Sequence, residues 1–278
     1  MGIKIQIAEP SALFKPFILY YKLIESDVTG ILKIVPITYV ELYFNFTHVH
    51  VFSPRYYDLD NPRIHLVGLQ QYDQNGFAYM YGTGRGGGFA IVFQPQGFFH
   101  LFNVKTSNFC KYAINGESIL KSDIDHLWEK LQEFYNVNDM KKLFESYFSN
   151  YAKQACSAPD LINNIISYMD KSNGMIRISQ ICDMYNTTPR SLERRFKDDI
   201  GMSPKELLHI FRINKAMRMI NEKPNYDLTE ISYLSGYYDQ SHFIKDIKKI
   251  TGISPGQLQG RESIKDEIFD NRFFIKTD

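Results

Sequence analysis

Two periodicities divide the chain. Through roughly the first 115 residues, apolar positions come in short or alternating runs: Ile31–Val35, Tyr39–Phe46, His48–Phe52, Phe77–Tyr81 and Phe89–Phe93. Gly, Pro, Asn and Asp separate them, a pattern that predicts an all-β sandwich or barrel. The spacing then becomes helical. Ser122 is positioned to cap a helix whose apolar face is Ile124, Leu127, Trp128, Leu131, Phe134 and Tyr135. Asn138 is positioned to cap a second, bearing Met140, Leu143, Phe144, Tyr147, Phe148 and Tyr151. Faces this aromatic suit either packing on the β-region or a dimer contact, and periodicity leaves both open. Lys153–Pro159 reads as a linker, and a helix through Leu161, Ile165, Ile166 and Met169 follows, ending near Gly174.

The last third repeats itself. Ile178, Ile181, Cys182 and Asn186 match Leu228, Ile231, Ser232 and Gly236 at one constant offset. One residue is then gained, after which Leu192, Phe196, Lys197, Gly201, Ser203 and Pro204 match Phe243, Ile247, Lys248, Gly252, Ser254 and Pro255. Order and spacing agree in both copies, so the repeat carries more weight than a single motif would. It has the form of a helix-turn-helix, in which a second helix crosses a first over a tight turn and enters the major groove. Cys182 and Ser232 supply the small residue at the crossing, while Asn186 and Gly236 suit a turn that needs positive φ. Thr188-Pro189 and Asp239 are the expected N-caps of the second helices.

Ser203-Pro204-Lys205-Glu206 and Ser254-Pro255-Gly256-Gln257 read as capping boxes that start the next helices. The first opens a long helix through Leu207, Leu208, Phe211, Ala216 and Ile220, stopping before Pro224, the expected rod between two reading heads. Asp227 and Glu230 are expected to cap the first helix of the second copy.

These residues resemble the AraC family of bacterial transcription regulators over residues 158–260. Arg190–Lys197 resembles the family's first recognition helix, and Asp239–Lys245 with Thr251–Pro255 is similar to its signature segment. Cys182 and Ser232 stand where alanine is usual, and Ile247 where an aromatic is usual; all three are packing positions. The resemblance implies sequence-specific binding to double-stranded DNA, no catalysis and no cofactor. From helix positions, Arg190, Glu193 and Arg194 are expected to face base edges from the first recognition helix, and Gln240, Ser241 and Lys245 from the second. Glu193 could instead orient a neighbouring Arg. Lys197 and Lys248 are expected at phosphates. RNA polymerase would be a partner were the chain an activator.

The segment Val92–Phe102 resembles the strand-turn-helix phrase of cupin-like sensor domains that precede this module in some family members. The fold class is therefore α+β multidomain: a β-rich cupin-like domain over 1–118, a helical connector over 119–157, the all-α DNA-binding domain over 158–260 and a charged tail over 261–278. A small-molecule effector or a homodimer is the expected business of the first domain.

Net charge is only +1, so attraction to nucleic acid has to be local. Arg190, Arg194, Arg195 and Lys197 crowd one recognition helix, and Lys245, Lys248 and Lys249 the other. A solvated helix face is the ordinary meaning of such clusters, and their placement in both recognition helices overrides it. Cys110, Cys156 and Cys182 are odd in number and lack zinc-ligand spacing, which points to a reduced, cytoplasmic protein. No basic and apolar leader and no membrane-length apolar run is present.

Gly82–Gly87 fits a GxGxxG string, but a strand and not a helix follows, so a glycine-rich hairpin is the better reading. His48 and His50 share a strand face, and Pro95, Gly97 and His100 echo half of a metal-binding cupin pattern whose other half is missing. No metal site is expected. Two other classes compete with the regulator. A DNA-targeted enzyme would need a metal triad, or the zinc-binding cysteine cluster and Pro-Cys-His motif of alkyltransferases, and the sequence has neither. A ligand-independent DNA-binding or interaction protein stays open.

Overall fold

The computed structural model describes residues 3–26, 29–34, 39–46, 49–52, 63–67, 78–83, 86–108, 113–116, 120, 124–155, 161–222, 226–259, 263–265 and 273–276. Its N-terminal part holds two antiparallel sheets. The first has six strands, β1 (Ile3–Ala8), β2 (Ile18–Ser26), β8 (Gly86–Phe93), β4 (Glu41–Asn45), β6 (Ile64–Val67) and β9 (Ala113–Asn115), in that spatial order. The second runs β10 (Ser263–Lys265), β11 (Phe273–Lys276), β3 (Thr29–Ile34), β7 (Ala78–Thr83) and β5 (Val49–Phe52). The tail thus returns to the first domain, where Phe274–Lys276 pair with Ile34–Leu32.

The expected glycine-rich hairpin is not formed, since the strands on its two sides join different sheets. β7 pairs with β3 and β5, whereas β8 pairs with β2 and β4. Ser26↔Gly86 in one sheet and Thr29↔Thr83 in the other keep one alignment of the two segments. Glycine serves close backbone approach there: a Cβ on Gly87 would lie 2.5 Å from the Ile24 carbonyl oxygen. β1, β2, β6 and β9 were not apparent from periodicity. β2 carries Lys22, 0% exposed, in the middle of the apolar run Ile18–Ile24, which hides it from an alternation test.

The two faces of the six-stranded sheet differ. One presents Tyr21, Leu23, Leu42, Phe44, Ile64, Leu66, Phe89 and Ile91 to a core shared with α2 (Ile124–Leu131), α3 (Val137–Tyr147) and α4 (Ser149–Gln154). The other carries Lys22, Glu41, Tyr43, Asn45 and His65, all buried as well. The expected helix faces, through Ile124, Leu127, Leu131, Met140, Phe144 and Phe148, therefore pack on the β-region. Glu145 Oε1 accepts from the Ser11 amide at 2.9 Å and the Tyr21 hydroxyl at 3.1 Å, and the Trp128 indole donates to the Asn45 carbonyl at 2.6 Å.

The cap of α3 is Asn136 and not Asn138. Asn136 has the extended backbone of an N-cap and accepts from the Asp139 amide at 2.9 Å, while Asn138 already lies in the first turn. Lys153, assigned to the linker by sequence, belongs to α4. Ser122 lies outside the described residues, as do most of the linker, His48, Cys110 and Cys156. Strand-turn-helix does follow β8: α1 (Gly97–Phe102) starts where a Cβ on Gly97 would sit 1.8 Å from the Phe17 carbonyl oxygen.

The C-terminal part is helical: α5 (Leu161–Lys171), α6 (Ile178–Met184), α7 (Pro189–Asp199), α8 (Pro204–Glu222), α9 (Leu228–Leu234), α10 (Gln240–Thr251) and α11 (Pro255–Leu258). It has two cores rather than one. Leu207, Leu208, Ile210 and Phe211 of α8 join α5, α6 and α7, through Ile165, Ile166, Ile181, Leu192 and Phe196. Ile213, Ala216, Met217 and Ile220 of the same helix join α9, α10 and α11, through Ile231, Phe243, Ile247 and Leu258. α8 is apolar on changing sides because it is the shared wall of two bundles.

Candidate nucleic-acid interface

Each bundle presents a helix that the sequence prepares for a groove. In the first, the turn residue Asn186 takes φ 47°, and Thr188 caps α7 by accepting from the Ser191 amide at 3.2 Å, with Pro189 at the first helical position. In the second, Gly236 takes φ 80°, and Asp239 caps α10 by accepting from the His242 amide at 2.8 Å. Both capping boxes form. The Ser203 amide donates to Glu206 at 2.6 Å and the Ser254 amide to Gln257 at 3.1 Å, so both Ser-Pro helix starts are closed. Asp227 occupies the N-cap of α9 without a side-chain cap bond, so the expected cap there is only positional, with Glu230 in the first turn.

The inward faces of α7 and α10 hold Leu192, Phe196, Phe243 and Ile247, all buried. The outward faces hold the sequence-selected residues. Arg190, Glu193, Arg194 and Lys197 are exposed on α7; Ser241, Lys245 and Lys248 are exposed on α10, and Gln240 is half-buried at its first turn. Glu193 Oε1 lies 3.2 Å from the Lys197 ammonium, an i,i+4 pair, so Glu193 orients Lys197 in this state rather than an arginine. Cys182 is buried at the helix crossing as its size requires, and burial followed by the neighbouring Asp183 pushes its thiol pKa up, away from thiolate chemistry.

Sequence reasoning missed a polar cluster behind α10. Asp246 Oδ2 lies 3.5 Å from His209 Nε2 on α8 and 3.6 Å from His242 Nε2 one turn back on its own helix. The Tyr237 ring packs edge-on against His242 at 5.6 Å, and burial, then Asp246, raise the Tyr237 pKa. The His242–Asp246 spacing is visible in sequence; the partnership with His209 exists only because α8 and α10 meet. Sequence also missed where the β-domain touches this region. The 3-10 turn Thr106–Asn108 packs against α7, and the Gln96 amide donates to Asn163 Oδ1 of α5 at 2.9 Å.

A family model described as a helix-turn-helix domain matches residues 181–261. The chain is 29% identical over 99 residues to the HTH-type transcriptional regulator MtrA of Neisseria gonorrhoeae, covering 36% of this chain and 32% of that protein. It is 28% identical over 85 residues to the HTH-type transcriptional activator RhaS of Salmonella arizonae, covering 30% of each. The matched region thus spans about a third of the length of these curated relatives. The structure of ToxT from Vibrio cholerae aligns with a TM-score of 0.50 at 13% identity over 94% of this chain and 100% of that one, a likeness of fold. The C-terminal domain is an AraC-type helix-turn-helix domain of the kind found in transcription regulators.

Proposed function

We propose that the chain is a sequence-specific transcription regulator, and not an enzyme, that reads two successive major grooves with α7 and α10. The observation that carries this is the mounting of both recognition helices on one rod. α8 has 19 residues, roughly 28 Å of axis at about 1.5 Å per residue, commensurate with the ~34 Å between successive grooves on one DNA face. The reading heads stand at opposite halves of it, through separate cores.

Arg190 and Arg194 are suited to bidentate contacts with guanine and Gln240 to adenine, with Ser241 and Lys245 beside them. Lys197 and Lys248 meet phosphates. Glu193 accepts from cytosine only after leaving Lys197. The β-domain binds a small organic effector or a second copy of the chain and passes the signal to the first head, which it touches. Its buried Lys22–Glu41 pair, 3.3 Å apart, supports a role beyond stability, since buried ion pairs stabilise folds weakly. An activating role adds RNA polymerase as a partner. No helix among the described residues is long and apolar enough to cross a membrane, consistent with cytoplasmic work on DNA.

The test is selection of duplexes from a randomised pool with the full-length chain, followed by footprinting. Two protected patches one helical turn apart are expected. Arg194→Ala should relax base preference in one patch and Gln240→Ala in the other, each by about 1–3 kcal/mol of discrimination. Unchanged preference for both variants would refute the assignment.

A further inference from the structure

The one-residue difference between the two motifs can be placed. The Thr187 amide donates to the Cys182 carbonyl at 3.0 Å, and the Tyr237 amide to the Ser232 carbonyl at 3.1 Å, so Thr187 and Tyr237 are the same structural position. Thr188 and Asp239 are likewise the same position, since each caps its recognition helix. Tyr238 is therefore the residue gained, and it has no counterpart in the first head.

Its neighbour Tyr237 turns inward, 4% exposed, against Phe243 at 5.4 Å. Tyr238 turns outward and is 92% exposed, the most exposed of the large apolar side chains among the described residues. It stands immediately before the N-cap of α10, beside Gln240 and Ser241, at the end of a recognition helix that enters a groove. We propose that Tyr238 is a DNA contact peculiar to the second head, its ring packing on a deoxyribose at the groove wall and its hydroxyl donating to the adjoining phosphate. This rests on the reading of α10 as a recognition helix.

The chemistry fits the place. Tyrosine is among the side chains that hydrogen-bond phosphates, and it combines an apolar plane for the sugar with a polar tip. Being neutral, it releases no counterion, so it strengthens binding without steepening the salt dependence. It also fixes the register of α10 along the groove from one side, while Lys245 and Lys248 act farther down the helix.

The experiment uses the full-length chain and a duplex it has selected from a randomised pool. Tyr238→Ala should weaken binding roughly 10-fold and Tyr238→Phe roughly 3-fold, the scale of a lost ring contact and one lost hydrogen bond. The slope of affinity against salt should stay constant in both, whereas Lys248→Ala should flatten it. Phosphate ethylation interference should lose one position at the second groove in Tyr238→Phe and keep every position at the first. Thermal melts should be unchanged, because the side chain is exposed. Two results overturn the proposal separately. If Gln240→Ala and Lys245→Ala weaken binding and neither Tyr238 variant does, Tyr238 is no contact although α10 reads DNA. If none of the four variants matters, α10 does not read DNA and the proposal falls with that reading.

Discussion

The two reading heads repeat one helical phrase and are held in different ways. The first is packed from behind by α5, whose Ile162, Ile165, Ile166 and Met169 fill its core, and is touched by the β-domain at α7 and at Asn163. Among the described residues the second has no such buttress; its core is closed by the short α11 and by a polar cluster of Asp246, His209, His242 and Tyr237. The two units thus share the helix-turn-helix and differ in the support behind it. The first head touches the N-terminal domain, while the turn of the second stands at Gly236 beside Met175 of the first.

Core truncation gives the largest test of that contrast. Phe196 is fully buried at the centre of the first head, and Phe196→Ala should cost about 3–5 kcal/mol. Because its core includes α5, hydrogen exchange should rise in α5, α6 and α7 together. The matching truncation, Ile247→Ala, should cost about 2–5 kcal/mol and free α9 and α10 while α5 stays protected. Matching exchange in all five helices for both variants would show a single cooperative unit instead of two heads.

The turns should separate next. Gly236→Ala forces a side chain onto φ 80°, with its Cβ 3.2 Å from the Met175 side chain, and should cost about 1–2 kcal/mol in urea unfolding. Met175 is flexible and can yield, so the backbone conformation is the larger part. Asn186→Gly relaxes an asparagine at φ 47° and should change stability by less than about 1 kcal/mol. A loss from Asn186→Gly as large as that from Gly236→Ala would mean the Asn186 side chain is doing more than tolerating the turn.

Acid should distinguish the heads most gently. Burial holds the His209 imidazole below its ordinary 6.5, with Asp246 pulling the other way and Arg212, His242 and Lys249 adding to the depression. The folded protein therefore keeps it neutral and the unfolded chain binds the proton more readily. That contribution to stability is complete above about pH 6.5 and is lost as pH falls through the lowered folded value. Amides of α10 should lose protection before those of α7 on acidification, and His209→Gln should remove the difference. Equal loss in both helices of the unaltered chain would refute this account of the cluster.

Much of this was legible in the residues. The helix starts and the positive-φ turns are local, set by Thr188-Pro189, Asp239, Asn186, Gly236 and the Ser-Pro boxes, whose partners lie within a few residues. Local hydrogen-bonding needs leave the same mark in any tertiary setting, so they can be read from spacing. β2 was not legible because Lys22, fully buried on the sheet's second face, is not apolar and breaks the run between Tyr21 and Leu23. The glycine run was misread because a tight turn and a close approach of neighbouring backbones call for the same residue, and at Gly87 and Gly88 it is the approach that requires it.

The sequence by itself determined that two helix-turn-helix units exist, where their recognition helices begin, and which side chains those helices offer to solvent. The tertiary structure decided what stands behind them. Only packing could show that α8 is divided between two cores, that His209 reaches Asp246 across helices, that the β-domain meets the first head, and that Tyr238 and not Tyr237 points outward. Helix caps and turns are contacts between near neighbours in the chain, whereas these are contacts between residues that only chain folding brings together.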